Sequence, residues 1–308
     1  MILLCGIPSE PSMRLVTKQL DRLEAPYIMF NQRKFAEVDI EFEMADGQIE
    51  GSIRLGGNDY SLGQVGGVFT RMMDDQSLPE VRNEPPDSAL RGHCRSVHET
   101  LARWCEIAPD PIVNRAIPQG SNGSKPYQAQ LIRKAGFLIP ETLITNDPSL
   151  VMEFYFEHKR IIYKSISAVR SIVQEFEPHD LNRLEQIRWC PTQFQAFIGG
   201  TNLRVHVMGD KVFPTAINSD AVDYRYASRQ IGEHAELREV ELSDEIAEKC
   251  IALSKILELP LAGIDLKVTT DDEVYCFEVN PSPAFSYYES STGQPISEAI
   301  AKYLMQSL

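Results

Sequence analysis

The chain has 308 residues, 43% hydrophobic and 24% charged, proportions that are ordinary for a globular protein of two or three compact units. Its formal net charge of −14 argues against a nucleic-acid binder, because such proteins hold polyanions with clustered Lys and Arg. The six cysteines are far apart and form no CxxC pair, so we expect free thiols in a reducing cytoplasm rather than zinc sites.

The first part of the chain predicts a small α/β unit at residues 1–111. Residues 1–6 are apolar but too few for a membrane span and lack a basic leader, so they predict a strand and no membrane association. The elements expected after it are a helix over 13–23, a strand over 27–30, a β-rich part with turns at Asp46-Gly47 and Gly56-Gly57, a strand over 68–71 and a helix over 86–106.

Prolines at positions 109, 111 and 118 indicate a boundary, after which two further units are predicted. The second unit, residues 112–190, is expected to contain a helix over 124–135, a strand over 141–145, a helix over 148–158 and a strand over 160–166. The third unit, residues 191–308, is expected to contain strands over 193–198, 202–208 and 211–217, a helix over 243–257, a hairpin and a closing helix over 295–308.

That hairpin, residues 263–281, is the densest source of chemistry in the sequence. Both arms alternate, which predicts a buried face that includes Phe277 in the second arm and a polar face opposite it. A turn between positions 271 and 272 sets Asp265 opposite Glu278, with Asn280 on the same face. Facing carboxylates repel unless a cation lies between them, and hard oxygen ligands suit Mg²⁺, with Mn²⁺ as an alternative. The structural alternative is a solvated hairpin with scattered acids.

Two lysines are candidates for binding phosphate. Lys125 follows Gly123-Ser124 at the start of a helix, where free N–H groups and the helix dipole favour anions, although Ser124 would equally serve as a simple cap. Lys164 lies on an apolar strand, where a buried ammonium needs an anionic partner, unless its head reaches water. The small polar segment 165–171, with Ser167 and Arg170, is a candidate lid over phosphates.

The strand over 193–198 ends at Gly199-Gly200, and exposed backbone beside apolar side chains suits an adenine ring. After it, Arg204 and Arg225 are candidate anion-binding guanidiniums, each with an ordinary surface ion pair as the alternative.

The order of these features, two distant lysines, a hinge, an Arg and then Asp … Glu-x-Asn, resembles the ATP-grasp carboxylate ligases of the RimK type. Among them, the sequence is similar to the graspetide (microviridin-type) peptide synthetases. The motifs that carry the second likeness include Phe194-Gln195-Ala196-Phe197-Ile198, Asn202-Leu203-Arg204-Val205, Asp223-Tyr224-Arg225 and Glu278-Val279-Asn280-Pro281-Ser282.

The resemblance implies an α/β (α+β) ATP-grasp fold, in which a pre-ATP-grasp domain precedes two α+β subdomains that clasp ATP. It also implies a role for each candidate residue. The implied catalytic residues are Lys164, Arg204 and Arg225. The residues implied to bind ATP are Lys125, Lys164, Ser167, Arg170, Gln195, Ala196, Phe197, Ile198 and Asn202. The implied Mg²⁺ ligands are Asp265, Glu278 and Asn280. Ala196 and Asn202 stand where the family commonly has acids.

The implied activity is ATP-dependent ligation of a carboxylate to an amine or hydroxyl through an acyl-phosphate. The expected substrate is a peptide or protein. The alternatives are an enzyme that joins an amino acid to a small molecule, and a catalytically silent nucleotide-binding protein. We expect a cytoplasmic homodimer.

Overall fold

The computed structural model describes residues 1–109, 111–165, 173–218 and 236–307. Within these ranges, no helix combines the length and the apolar character that crossing a membrane requires. The strands of these ranges form four sheets, and the two larger antiparallel sheets follow one another along the chain.

The N-terminal unit is built on a parallel sheet of order β2-β1-β6-β7, flanked by two helices and a three-stranded antiparallel sheet. Its strands and helices are β1 (Ile2–Gly6), α1 (Pro11–Arg22), β2 (Tyr27–Asn31), β3 (Asp39–Ala45), β4 (Gln48–Leu55), β5 (Asn58–Ser61), β6 (Gly67–Arg71), α2 (Ala89–Ile107) and β7 (Ile112–Val113). The two predicted turns join β3 to β4 and β4 to β5.

Capping side chains decide where the first helices begin. The Glu10 carboxylate accepts a hydrogen bond from the Met13 amide at 2.6 Å, and a proline follows in the first turn of α1. Ser88 caps α2 in the same way through the Arg91 amide, at 3.2 Å. The predicted second helix therefore begins three residues later than the sequence pattern indicates, because the residues before Ser88 are outside the capped turn.

The central unit has an antiparallel sheet of order β10-β9-β11-β8, packed on one helix and on a long 3₁₀ segment, Pro178–Trp189. The helices and strands from residue 116 to residue 196 are α3 (Ala116–Gln119), α4 (Lys125–Lys134), β8 (Thr142–Thr145), α5 (Pro148–His158), β9 (Ile161–Ser165), β10 (Gln174–Glu175) and β11 (Thr192–Ala196).

The C-terminal unit has an antiparallel sheet of order β14-β13-β12-β15-β16. Its elements are β12 (Thr201–Met208), β13 (Lys211–Asn218), β14 (Glu236–Glu239), α6 (Asp244–Ile256), β15 (Leu261–Val268), β16 (Val274–Asn280), α7 (Phe285–Thr292) and α8 (Ile296–Leu304). Helix α7 is not in the sequence prediction, which has a single closing helix there.

The sheets divide the chain differently from the predicted unit boundaries. Strand β7 follows the boundary at residue 111 yet pairs with β6 in the N-terminal sheet. Strand β11 follows the boundary at residue 190 yet pairs with β9 and β8 in the central sheet. Strand partners far apart along the chain leave no local trace in the sequence, so the pattern of prolines and loops did not reveal them.

Three apolar cores contain residues of the C-terminal and central units. One face of the C-terminal sheet packs against α4 and α6, and the central unit has a small core of its own. The third core is shared, because α8 and the ends of β12 and β15 pack against α1 and the N-terminal sheet. The first and last parts of the chain therefore form one packed body around the C-terminal sheet.

Candidate functional site

The charged side chains that could bind a ligand or take part in a reaction lie in a row across one face of the C-terminal sheet. Arg204 on β12 pairs with Asp265 on β15, which pairs in turn with Glu278 on β16. The alternate residues of the same strands, such as Val205 and Ile264, are fully buried in the core on the other face. The alternation of strand side chains thus separates a polar face from an apolar one.

Each acid of this row is paired with a cation. Arg204 Nη1 donates to Asp265 Oδ1 at 2.7 Å, and both side chains are largely buried, at 6% and 16% exposed. Lys125, at the first position of α4, reaches Glu278 Oε2 with its Nζ at 3.4 Å. The two carboxylates therefore stand side by side without net repulsion, which a bare facing pair would suffer.

The predicted pairing of Asp265 with Glu278 is confirmed, whereas the strict alternation of the second arm is wrong. A β-bulge at this point shifts the register, so that Leu266 pairs with Cys276 and Phe277 is the extra residue. Cys276 takes the buried position that the sequence assigned to Phe277. Both Phe277 and Glu278 line a cleft between the C-terminal sheet and the central sheet. The bulge is what brings an aromatic ring and a carboxylate to the same side.

The facing wall of the cleft is the central sheet. Lys164 on β9 pairs with Gln193 on β11, and Ile162 pairs with Gln195. The side chains of Lys164, Gln193 and Gln195 are almost completely buried, at 7%, 3% and 6% exposed. Lys164 and Gln195 line the same cleft as Asp265 and Glu278, so a lysine and an amide face the acids across it.

The cleft has a hinge end, which we define by Phe197, Ile198 and Lys267. The Lys267 ammonium donates to Ile198 O at 3.0 Å and lies near the rings of Phe197 and Phe277, at 5.5 and 5.8 Å from their centroids. Burial, together with the charge of Arg160, lowers the pKa of Lys267. Arg160 itself lies over the ring of Phe197, with its guanidinium carbon 3.8 Å from the ring centroid.

Two hinge amides are already used within the protein. The Ala196 N–H donates to Glu141 O at 2.9 Å, and the Phe197 N–H donates to Arg160 O at 3.0 Å. Phe197, Ile198 and Asn202 line the cleft, whereas Ala196 is not among the lining residues. Of the predicted hinge residues, Gln195, Phe197 and Ile198 line the cleft.

Two buried amides hold the strands that carry the acids. Gln128 on α4 donates to Val279 O at 2.9 Å and accepts from Val279 N–H at 2.8 Å, so one side chain clamps the open edge of β16. Asn114 accepts from Leu261 N–H at 3.0 Å and donates to Leu261 O and Pro281 O, at 2.7 and 2.5 Å. Neither residue is a sequence candidate. Asn114 was detectable as a polar residue that follows an apolar pair, whereas nothing in the sequence around Gln128 marks it.

Asn280 lies two residues beyond Glu278, opposite Gly263. Its Oδ1 accepts from the Ser282 amide at 2.9 Å, which fixes the side chain at the end of β16. An amide oxygen keeps a second lone pair for a cation. The donor set of two carboxylates and one amide oxygen fits a hard divalent ion such as Mg²⁺, and its assignment as a metal site stays a prediction.

The structure brings most of the predicted residues together around one cleft. Those that line it are Lys164, Gln195, Phe197, Ile198, Asn202, Asp265 and Glu278. Lys125 and Arg204 contact the acids of this cleft directly. Ser167, Arg170 and Arg225, and the candidate lid apart from residue 165, lie outside the described residues. Lys267, which the sequence prediction missed, follows Asp265 by two positions and was detectable as a lysine on the polar face of the strand.

Comparisons with known proteins agree with this architecture. A sequence model of the RimK-like ATP-grasp domain matches residues 129–304. A probable alpha-L-glutamate ligase of Trichodesmium erythraeum is 24% identical over 148 residues, which are 48% of this chain and 46% of that protein. The match thus spans about half the length of that relative.

Two solved structures cover nearly the whole chain. The macrocyclase MdnC of Microcystis aeruginosa MRC, bound with precursor peptide MdnA, superposes with a TM-score of 0.80 at 25% identity and covers 100% of both chains. The ATP-grasp ligase PsnB, complexed with precursor peptide PsnA2 and AMPPNP, gives a TM-score of 0.76 at 25% identity and covers 99% of this chain and 96% of its own.

The family match covers more than half of the chain and includes both strands that carry the acids, while the solved structures share its fold from end to end. The chain therefore belongs to the RimK-like ATP-grasp family.

Proposed function

We propose that the protein is an ATP- and Mg²⁺-dependent ligase that activates a carboxylate of a peptide substrate as an acyl-phosphate and joins it to an amine or hydroxyl of that peptide. The observation that carries the proposal is the cleft itself, in which Asp265 and Glu278 face Lys164 and are flanked by Arg204 and Lys125. Bound Mg²⁺ and ATP supply an activated phosphoryl group whose charge spreads over its oxygens during transfer.

The chain's own residues fit that task. Asp265, Glu278 and Asn280 offer the oxygen ligands for the metal, and Gln128 and Asn114 fix the backbone that presents them. Lys125, Lys164 and Arg204 are preorganised cations that stabilise charge developing in the transition state. Arg204 is 5% exposed, so its guanidinium acts where water screens it little.

The peptide substrate is supported by the solved relatives, since MdnC and PsnB were both solved with precursor peptides and match this chain over almost its full length. A second candidate is transfer of an amino acid, which the partial match to a probable alpha-L-glutamate ligase favours. The homodimer and the cytoplasmic location stay predictions, and light scattering of the purified protein tests the first.

The nucleotide site is tested by thermal unfolding with and without millimolar MgADP. We expect MgADP to raise the unfolding temperature, because a ligand that binds only the native state stabilises it by mass action. Glu278→Gln removes one carboxylate of the acid row and is expected to abolish this shift. Asp271→Asn removes an equal charge from the exposed turn of the same hairpin and should keep it. The absence of a shift in the wild type contradicts the nucleotide assignment.

The reaction is tested by product masses after incubation with ATP, Mg²⁺ and either candidate peptides or amino-acid mixtures. A bond closed within one peptide lowers its mass by one water, whereas amino-acid transfer adds the mass of the second substrate less one water. ADP formation with amino acids alone, and never with a peptide, rejects the peptide substrate while leaving the ligase chemistry in place. ADP formation under neither condition rejects the ligase.

A further inference from the structure

Gln195 has an amide whose orientation is set by its neighbours. Its Nε2 donates to Thr142 Oγ1 at 2.9 Å, and Thr142 Oγ1 in turn donates its single proton to Pro140 O at 2.9 Å. The hydroxyl therefore has only lone pairs to offer Gln195. The amide nitrogen, not the amide oxygen, must face Thr142.

Gln195 Oε1 is consequently fixed as an acceptor. It is buried, with no hydrogen-bond partner among the residues that the structure describes, and the side chain as a whole is 6% exposed and lines the cleft. A buried carbonyl oxygen without a donor costs free energy, and a ligand that donates to it recovers that cost. This wall of the cleft therefore suits a ligand that donates a hydrogen bond to Gln195 Oε1.

Lys267 supplies a hydrogen-bond donor in the same cleft. Its ammonium has three protons, of which Ile198 O accepts one at 3.0 Å. The lysine lines the cleft together with Gln195, between the aromatic rings of Phe197 and Phe277. Flat apolar rings, one fixed acceptor and one donor are the surroundings that an aromatic heterocycle with both kinds of group requires.

We infer that Gln195 and Lys267 select adenine over 6-oxo purines, and that Thr142 is the positioning residue that holds Gln195 in the selective orientation. The inference rests on the proposed function, since it concerns the base of the same nucleotide. Adenine has an amino donor beside ring nitrogens that accept, which matches Oε1 and the ammonium. Hypoxanthine and guanine have a carbonyl oxygen in place of the amino group, which sets acceptor against acceptor at Gln195.

The test compares the affinities of MgADP and MgIDP by titration calorimetry. Their bases differ only in the group at position 6 and in the proton that hypoxanthine carries on N1, and neither nucleotide transfers a phosphoryl group. We expect the wild type to bind MgADP at least about tenfold more tightly than MgIDP. The reason is that adenine forms a hydrogen bond with Gln195 Oε1, whereas the carbonyl oxygen of hypoxanthine places an acceptor against it. Thr142→Val keeps the shape of the side chain but frees the amide of Gln195 to turn, so the preference should fall to about threefold or less.

Two further variants complete the experiment. Thr142→Ser keeps the hydroxyl and should keep the preference of the wild type, which separates the hydrogen bond from a mere packing effect. Lys267→Met removes the donor and should weaken MgADP binding about tenfold. Unfolding temperatures without nucleotide establish that each variant is folded.

The outcomes separate this inference from the function on which it rests. Equal affinities for MgADP and MgIDP in the wild type, or an unchanged preference in Thr142→Val, overturn the inference and leave the nucleotide site intact. Unaltered MgADP affinity in Lys267→Met overturns the role of the lysine. A wild type that binds neither nucleotide overturns both the inference and the proposed function.

Discussion

At Gly263 the C-terminal sheet leaves the space that the Arg204 guanidinium fills. A Cβ atom at this position would lie well inside contact distance of the Arg204 guanidinium and 2.8 Å from Pro283 Cβ. The guanidinium can move away, but the proline ring cannot, and a displaced Arg204 loses its 2.7 Å contact with Asp265. The absence of a side chain at Gly263 thus decides where the cation of the acid row lies.

Gly263→Ala is therefore expected to lower ligase activity by at least about tenfold, as for the loss of one oriented transition-state contact, while the protein stays folded. The measurement is the rate of ADP formation together with far-UV circular dichroism. Gly92→Ala is the matched control: position 92 is in α2 with open space around it, so this change should leave the rate unchanged and stabilise slightly. A normal rate in Gly263→Ala would show that Arg204 tolerates displacement.

His206, two residues after Arg204 on β12, is a buried histidine beside the acid row. It lies opposite Gly263, is fully buried, and packs edge-on against Tyr288 of α7 with 4.7 Å between ring centroids. Burial, and secondarily the charge of Arg204, lowers the pKa of its imidazole well below the usual value. The imidazole is therefore neutral at physiological pH and adds no second positive charge beside Arg204.

At the scale of elements, the strand that carries Glu278 is the last of its sheet, and its outer edge has to be satisfied by something other than a strand. The Leu138 backbone bonds Val274 O and the Cys276 amide, at 3.3 and 2.9 Å, and Gln128 bonds both backbone groups of Val279. Helix α4 therefore fixes the acid-bearing strand at the same time as it presents Lys125 to Glu278.

Replacing Gln128 tests whether the edge of β16 depends on its side-chain amide. Gln128→Met keeps the size of the side chain but leaves the buried N–H and C=O of Val279 without partners, so the free energy of unfolding should fall by about 2–4 kcal/mol. Gln130→Met, an exposed position on the same helix, serves as the control and should change stability little. Urea denaturation of both variants gives the comparison. Equal stabilities would mean that the edge of β16 is satisfied in another way.

At the scale of the whole molecule, the N-terminal unit and the C-terminal helices share one core. Ile300 on α8 is fully buried among residues of both units. The backbone of α8 approaches β6 so closely that a Cβ on Gly67 would overlap Leu304 O. Because this core belongs to both units, we expect them to unfold together rather than in sequence.

Ile300→Ala removes buried methyl groups from the shared core and should lower the free energy of unfolding by about 2–5 kcal/mol. Trp104, buried in the N-terminal unit, reports on that unit once the exposed Trp189 is replaced by Phe. In this background, Trp104 fluorescence and far-UV circular dichroism should give the same midpoint in denaturant for both the parent and the variant. Midpoints that separate would show two independently stable bodies.

The sequence alone determined the local parts of this protein. Period-2 alternation and turn residues predicted the hairpin and the pairing of Asp265 with Glu278, because adjacent strands joined by a short turn find each other through local geometry. Helix α5 begins and ends at the predicted residues, where Asp147 caps it through the Ser149 amide at 2.9 Å. The order of motifs also indicated the family, to which the chain belongs.

Only the tertiary structure decided which distant groups meet. The partners of the two acids, Arg204 and Lys125, are 61 and 153 residues away from them along the chain. Strand β11 pairs with β9 and β8 of the central sheet rather than with the strand next to it in sequence. The bulge at Phe277 breaks the alternation of the hairpin, which the sequence pattern did not reveal. The Gln128 clamp and the Thr142 contact that orients Gln195 are likewise long-range hydrogen bonds. A polar side chain in a sequence shows what it can bond to, but its partner is fixed only when packing brings the two together and excludes water.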